Sequence, residues 1–281
     1  MLLLRHTFCH LPRVGPRLER RVWDAGLRTW DDLLNGGEWP LASPPAAEAR
    51  RLLEESARRL EAGDAEYFAS RLPAREHWRL YPEFADGLAY VDIETTGTAW
   101  PQDQITTVAL YDGRRISHFV QGRDLEALTE ALAGAKVLVS YNGKSFDAPF
   151  IEKSLGISLP SAHIDLRYVL HSLGYGGGLK NCERRLGLAR DELEGIDGFF
   201  AVLLWREYCR TGAAAALDTL LAYNIADTVN LEALLVRACN LKLAEWPLDL
   251  PPVPERQAPP NPFAPHMPTV RRLLGQRGYW A

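Results

Sequence analysis

The stretch GLAYVDIETTG, residues 87–97, decides the fold. GLAYVDIE reads as a buried strand, and a strand sends alternate side chains to opposite faces. Asp92 and Glu94 are two residues apart, so their carboxylates project together while Ile93 packs the other side. Two neighbouring carboxylates in an apolar strand repel each other and lose hydration. A divalent cation relieves both costs, and Mg2+ and Mn2+ favour oxygen ligands. Thr95-Thr96-Gly97 then gives a tight turn beside the pair. The plainer alternative is a strand end whose acids are solvated.

Outward from this strand the chain alternates. ITTVALYDGRRISHFVQG (105–122) reads as two strands joined at Asp112-Gly113, a common hairpin pair. DLEALTEALAG (124–134) is a short amphipathic helix, KVLVSYN (136–142) a strand, FDAPFIEKSLG (146–156) a helix and AHIDL (162–166) a short strand. The remainder through LDTLLAYNIADTVNLEALLVRACNLK (217–242) reads as helical. This order predicts an α/β domain with a mixed sheet. Upstream, AAEARRLLEESARRLEAG spaces Ala49, Leu52, Leu53, Ala57 and Leu60 by threes and fours, with Gly63 as a stop. Downstream, a proline-rich stretch from Pro247 to Pro268 predicts a tail without its own core. The expected organisation is an N-terminal module over 1–40, a helical linker over 41–85, the α/β domain over 86–245 and the tail over 246–281.

Two further acid motifs follow the strand pair. In YNGKSFDAPFIE, Asp147 falls in the first turn of a helix, where the helix dipole favours an anion whether or not it has a ligand. Asn142 and Lys144 precede it in a loop, as candidates to hydrogen-bond or neutralise a phosphate. In LLAYNIADTVNLEALL, Tyr223 and Asp227 are four apart and so share one helix face. A capping acid and a half-buried tyrosine would leave the same pattern. Asp165 fits a cap of the following helix, with support of the acid site from behind as the alternative, and GYGGGLK (174–180) lacks the spacing of a nucleotide-binding loop.

The chain has 281 residues, is 47% hydrophobic and carries a formal net charge of −4, so any contact with a polyanion must rest on a local patch or on bound metal. Four scattered cysteines contain no paired zinc or redox motif, which fits a reducing compartment. No stretch approaches the roughly 20 apolar residues of a membrane span, so the expectation is a cytoplasmic protein without a membrane partner.

Together VDIETTG, YNGKSFDAPFIE and YNIAD, spread in that order over about residues 88–240, resemble the DEDD exonuclease superfamily in its tyrosine branch. More narrowly the chain resembles the YprB-type ribonuclease H-like proteins, through FCHLPRVGPRLERRVWDAGLRTWDDLL and HIDLRYVLHSLGYGGGLKNCERRLGL. The resemblance implies an RNase H-like mixed sheet of about five strands flanked by helices. It implies 3′→5′ removal of nucleotides with two Mg2+ or Mn2+ ions, roughly 3.5–4 Å apart. Asp92 would bridge them, Glu94 and Asp227 would hold the ion carrying the attacking water, and Asp147 the second ion. Tyr223 would orient that water, since a phenol with an ordinary pKa near 10 is not an ionised base. Thr95 and Thr96 would lie along the substrate.

HLPRVGPRLERRVWDAGLRTWDDLL also resembles half of a helix–hairpin–helix, which offers helix-start N–H groups to a phosphate. Arg13, Gly15 and Arg17 are its candidate contacts, with Gly15 permitting close approach. The alternative is a small helical cap packed by Trp23, Trp30 and Leu33. The expected substrate is a single-stranded 3′ end, DNA ahead of RNA, in repair and in company with a helicase or another repair protein. An RNA-processing exoribonuclease and a silent nucleic-acid-binding protein are the alternatives.

Overall fold

The computed structural model describes residues 3–188 and 198–276. Its centre is a sheet of β1 (Leu88–Thr95), β2 (Ile105–Tyr111), β3 (Ile116–Val120), β4 (Val137–Ser140) and β5 (His163–Asp165). The order is β3-β2-β1-β4-β5. The β1–β2 and β2–β3 pairs are antiparallel, and the β1–β4 and β4–β5 pairs are parallel. This is the mixed five-stranded sheet expected from the alternating sequence.

The period of two along β1 sorts its residues. Ala89, Val91 and Ile93 join Leu128 and Leu132 of α5 (Leu128–Leu132) and Phe150 and Ile151 of α6 (Asp147–Leu155) in one core. Leu88 and Tyr90 face the other way, into a core with Leu231, Leu234 and Leu235 of α10 (Ala214–Ala244). Asp92 and Glu94 extend that second row, so the strand aims them to the α10 side. Each buried Leu of this kind contributes about 1.5–3 kcal/mol.

The sequence periodicity upstream is met by α3 (Ala46–Glu61), with Ala49 and Leu53 fully buried. The N-terminal helices α1 (Pro16–Asp24) and α2 (Trp30–Leu34) and the short α4 (Ala65–Ala69) complete that region. Trp30, Leu33 and Trp23 share one continuous core with β1, β4 and α10, which is the packing cap weighed above. A buried ion pair fastens it. Arg79 Nη1 meets Glu19 Oε1 of α1 at 2.8 Å and Arg79 Nη2 meets Glu76 at 2.8 Å. The same Glu19 oxygen accepts from the Phe8 and Cys9 amides at 2.6 and 2.9 Å.

The helical remainder of the sequence forms α7 (Leu166–Ser172), α8 (Leu179–Arg185), α9 (Gly198–Thr211) and α10; the part of that expectation over 189–197 lies outside the described residues. The proline-rich stretch lies against the domain. Val253 is bound to Asn240 of α10 in both directions, at 2.7 and 2.9 Å, and Asn261 Nδ2 donates to Ala222 O at 2.8 Å. It ends in a helix, α11 (Met267–Gln276), whose Val270 and Leu273 share a core with Phe200 and Leu204 of α9 and Leu217 of α10. The prolines had hidden this helix, because they set the extended strap before it and only Pro268, in its first turn, lies within it. Among the described residues no helix is long and apolar enough to cross a membrane.

Candidate active site

Three stretches of backbone bring the acids together. On β1 the pairing register with β2 shifts between Glu94, opposite Thr107, and Thr95, opposite Ile105. This bulge bends the strand where its carboxylates end, a common device beside active sites. The pairing of β4 with β1 covers only Leu88 to Tyr90, leaving the next stretch of that edge open.

Asp147 fills the opening. It is the first residue of α6, is buried, and accepts the Ile93 amide through Oδ1 at 3.2 Å. The loop before it is held from below by Asp165, which accepts the Asn142 amide at 2.8 Å, the Lys144 amide at 3.1 Å and the Arg167 amide at the start of α7 at 3.0 Å. Gly143 is required there, since a Cβ would lie 2.2 Å from Ser140 Oγ.

Helix α10 supplies the third group. Tyr223 is buried, and Asp227, one turn on, is half-buried. Between them Asn224, fully buried, donates through Nδ2 to Asp92 Oδ2 at 2.8 Å and to Asp92 O at 3.0 Å. Its own Oδ1 accepts from Thr107 Oγ1 at 3.1 Å, which fixes the orientation of the amide. Lys180 of α8 reaches in from the opposite wall, with Nζ on Asp227 Oδ1 and 3.6 Å from Glu183 Oε2.

The electrostatics follow from crowding. Burial, then the charges of Asp147, Glu94 and Asp227, push the Asp92 carboxyl well above the usual range, against the Asn224 hydrogen bond. Burial and then Asp227 push Glu94 up to about 8, with Lys180 opposing. Burial pushes Asp147 up to about 7, the Ile93 amide opposing. Four carboxylates therefore share one gap at a cost that opposite charge relieves. Among the described residues no three of them are drawn into a common coordination shell, and the Lys180 ammonium is the positive charge at the gap. An all-oxygen donor set that raises its own pKa values suits hard divalent cations such as Mg2+ or Mn2+.

Glu94, Tyr223, Asp227 and Lys180 line a cavity of about 310 Å³ whose other lining residues, among those described, are Gly177, Gly178, Leu179, Gly198, Ala201 and Leu204.

The remaining residues singled out from sequence are placed as follows. Thr95 Oγ1 donates to Gly97 O at 2.6 Å, and Thr96 Oγ1 to Asp103 Oδ1 at 2.9 Å, so both hydroxyls are engaged in the turn after β1. Asn142 has φ +66°, and its Oδ1 accepts from Ser145 Oγ and Arg167. Lys144 Nζ lies 3.3 Å from His77 Nδ1, turned toward the N-terminal region. Arg13, Gly15 and Arg17 lie apart from the carboxylates. Arg13 and Gly15 line a separate cavity of about 540 Å³ with His10, Tyr67 and Arg71. The left-handed backbone there is at Arg13, φ +65°, and not at Gly15, which caps α1 in extended conformation; the glycine's freedom is therefore not what this turn uses.

Two residues were missed. Asn224 carried a signal, because a polar amide inside an apolar helix must find buried partners. Lys180, after a run of glycines, carried none.

A sequence model of the RNase H superfamily matches residues 89–239, more than half of the chain, and the protein belongs to that superfamily. No curated protein matches it. Among solved structures it is similar to the family B DNA polymerase of the hyperthermophilic archaeon Pyrobaculum calidifontis, with 21% identity, TM-score 0.42, and 52% of this chain and 24% of that one covered. It thus spans about a quarter of the polymerase's length. It is also similar to a nuclease in its apo form (18%, TM-score 0.33, 62% and 91% covered) and to Brucella melitensis NrnC with bound Mg2+ (15%, TM-score 0.32, 59% and 90% covered).

Proposed function

We propose that this protein is a metal-dependent 3′→5′ exonuclease that hydrolyses phosphodiester bonds at a single-stranded end, with DNA the favoured substrate and repair the setting. The observation that carries the reading is the cavity in which Tyr223 and Asp227, one turn apart on α10, face Glu94 across Lys180. That Tyr–Asp pair is also what supports the direction, through its resemblance to the tyrosine branch.

Asp92, Glu94, Asp147 and Asp227 would hold two divalent ions, which supply Lewis acidity and charge neutralisation at the scissile phosphate. The chain's own groups do the rest. Asn224 fixes the rotation of Asp92 through its two hydrogen bonds, so the most crowded carboxylate is positioned before substrate arrives. Tyr223 lines the cavity, and its hydroxyl would orient a water. Leu179 would offer apolar surface to the terminal nucleoside, and a cavity of about 310 Å³ suits a ligand of about that size. A pocket of that kind suits an enzyme that takes ends. Arg13 and Arg17, exposed at the start of α1, would hold the backbone further along the strand.

The test is a 5′-labelled single strand with Mg2+ or Mn2+. The expected outcome is a ladder of stepwise shorter products, stopped by EDTA and absent with Asp92→Ala. Wild-type protein that binds the strand yet leaves it intact would make this a binding protein. DNA and RNA strands run in parallel settle the sugar preference.

A further inference from the structure

The loop that leaves β1 carries a tryptophan into solvent. Trp100 keeps 41% of its surface exposed, one of few large apolar side chains to do so among the described residues. Isolated exposed apolar residues are common and need no function. Three observations set this one apart.

The first is rigidity. Asp103 knots the loop, accepting from Thr96 Oγ1 at 2.9 Å and from the Ala99 amide at 2.8 Å, while its own amide donates to Ala99 O at 2.8 Å. The Thr96 amide donates to Gln104 O at 2.9 Å, closing the base. Gly97 admits the knot, since a Cβ there would lie 2.4 Å from the Asp103 carboxylate. The second is bracing. The indole meets Phe150 at 5.7 Å between centroids and 81° between planes, so an edge-to-face contact supports it without covering it. The third is position. Phe150 follows Asp147 by one turn of α6, so the indole that it braces stands beside the Asp147 end of the carboxylate gap. A flat π surface held still beside a phosphodiester site loses little entropy on binding a second flat π surface.

We infer that Trp100 is a stacking platform for an unpaired nucleobase of the bound strand, adjoining the nucleotide whose phosphate enters the carboxylate gap. The inference rests on the nuclease reading above and narrows its substrate to strands whose bases are splayed. A base inside a duplex, away from its ends, has both faces covered and cannot meet the indole. Every base has a π face, so the platform tolerates all sequences.

The experiment uses the full chain with Trp100→Ala and Trp100→Phe. A 5′-labelled oligothymidylate, and a series in which one base at a time near the 3′ end is replaced by an abasic sugar, are bound in EDTA. Trp100→Ala should weaken binding of the intact strand about five- to a hundredfold, the factor that about 1–3 kcal/mol per stacked base gives at about 1.4 kcal/mol per tenfold. Trp100→Phe should retain most of the affinity. One abasic position should cost the wild type the same factor and cost Trp100→Ala nothing. The rise in thermal midpoint on adding Mg2+, which involves no base, should be the same in both variants as in the wild type. Losses that simply add across all abasic positions, or equal binding by wild type and Trp100→Ala, overturn the platform while leaving stepwise hydrolysis intact. A wild type that neither binds nor shortens any strand overturns the nuclease reading itself, and the platform with it.

Discussion

Replacing Glu94 by glutamine should make the metal-free protein more stable, and the gain should depend on pH. Glu94 is held up to about 8 in the folded state, chiefly by burial and by the Asp227 charge. A folded carboxyl raised above its unfolded value contributes stability that is complete below about pH 4.5 and is lost as pH rises through about 8. Each pKa unit is worth about 1.4 kcal/mol, so the full shift sets a ceiling of roughly 5 kcal/mol. The side chain is half-buried, so solvent screening cuts the observable effect to about 2 kcal/mol. In a chain of this size that is roughly 4–8 °C in thermal midpoint. Glutamine removes the ionisation and with it the loss. The assay is thermal unfolding in EDTA at pH 5 and pH 8.5, repeated with saturating Mg2+. The variant should melt with the wild type at pH 5, above it at pH 8.5, and below it once Mg2+ is present, because a carboxylate ligand has gone. Coincident melting at pH 8.5 in EDTA, or a gap of equal size at both pH values, would refute the crowding on which the site is argued.

Asn224→Leu should lose about 2–4 kcal/mol in urea unfolding, since it strips the Asp92 hydrogen bonds and leaves the Thr107 hydroxyl buried without its acceptor. The same variant should slow strand shortening far more than it weakens strand binding, which single-turnover and equilibrium assays separate. Arg79→Met should cost about 3–5 kcal/mol, because Glu19 is left buried without its counter-charge and Glu76 keeps only Arg75, 3.8 Å away. Arg79→Met together with Glu19→Gln should recover part of that loss, and a double variant no better than the single one would deny the pair its role.

The sheet was legible because its signals are local. Alternation along β1, the Asp112-Gly113 turn and the helix-start acid at Asp147 are each written within about ten residues. The acid set was legible for the same reason: a strand spaces Asp92 and Glu94 onto one face and a helix spaces Tyr223 and Asp227 onto another. What escaped depends on contacts across the chain. Asn224 reaches Asp92 over 132 residues, and Lys180 reaches Asp227 over 47. Asp165 does cap α7, the role favoured for it, and it also carries the loop that positions Asp147, the alternative weighed beside that cap. The helix α11 was hidden because proline frequency reports on the strap before it and says nothing of Val270 and Leu273 meeting α9.

On the proposed exonuclease reading, the clamp between Arg79 and Glu19 bears on how a digestion would end. It welds α1 to the body that carries the carboxylates, with the Arg79 guanidinium also 4.7 Å over the Trp246 ring. A strand gripped at Arg13 and Arg17 while its end lies among the acids would therefore span one invariant gap. Chains longer than that gap are held at two places, and shorter ones at only one. Exhaustive digestion should then slow abruptly at a fixed residual length. That length is a molecular ruler read directly from a gel, and Arg79→Met should blur its edge.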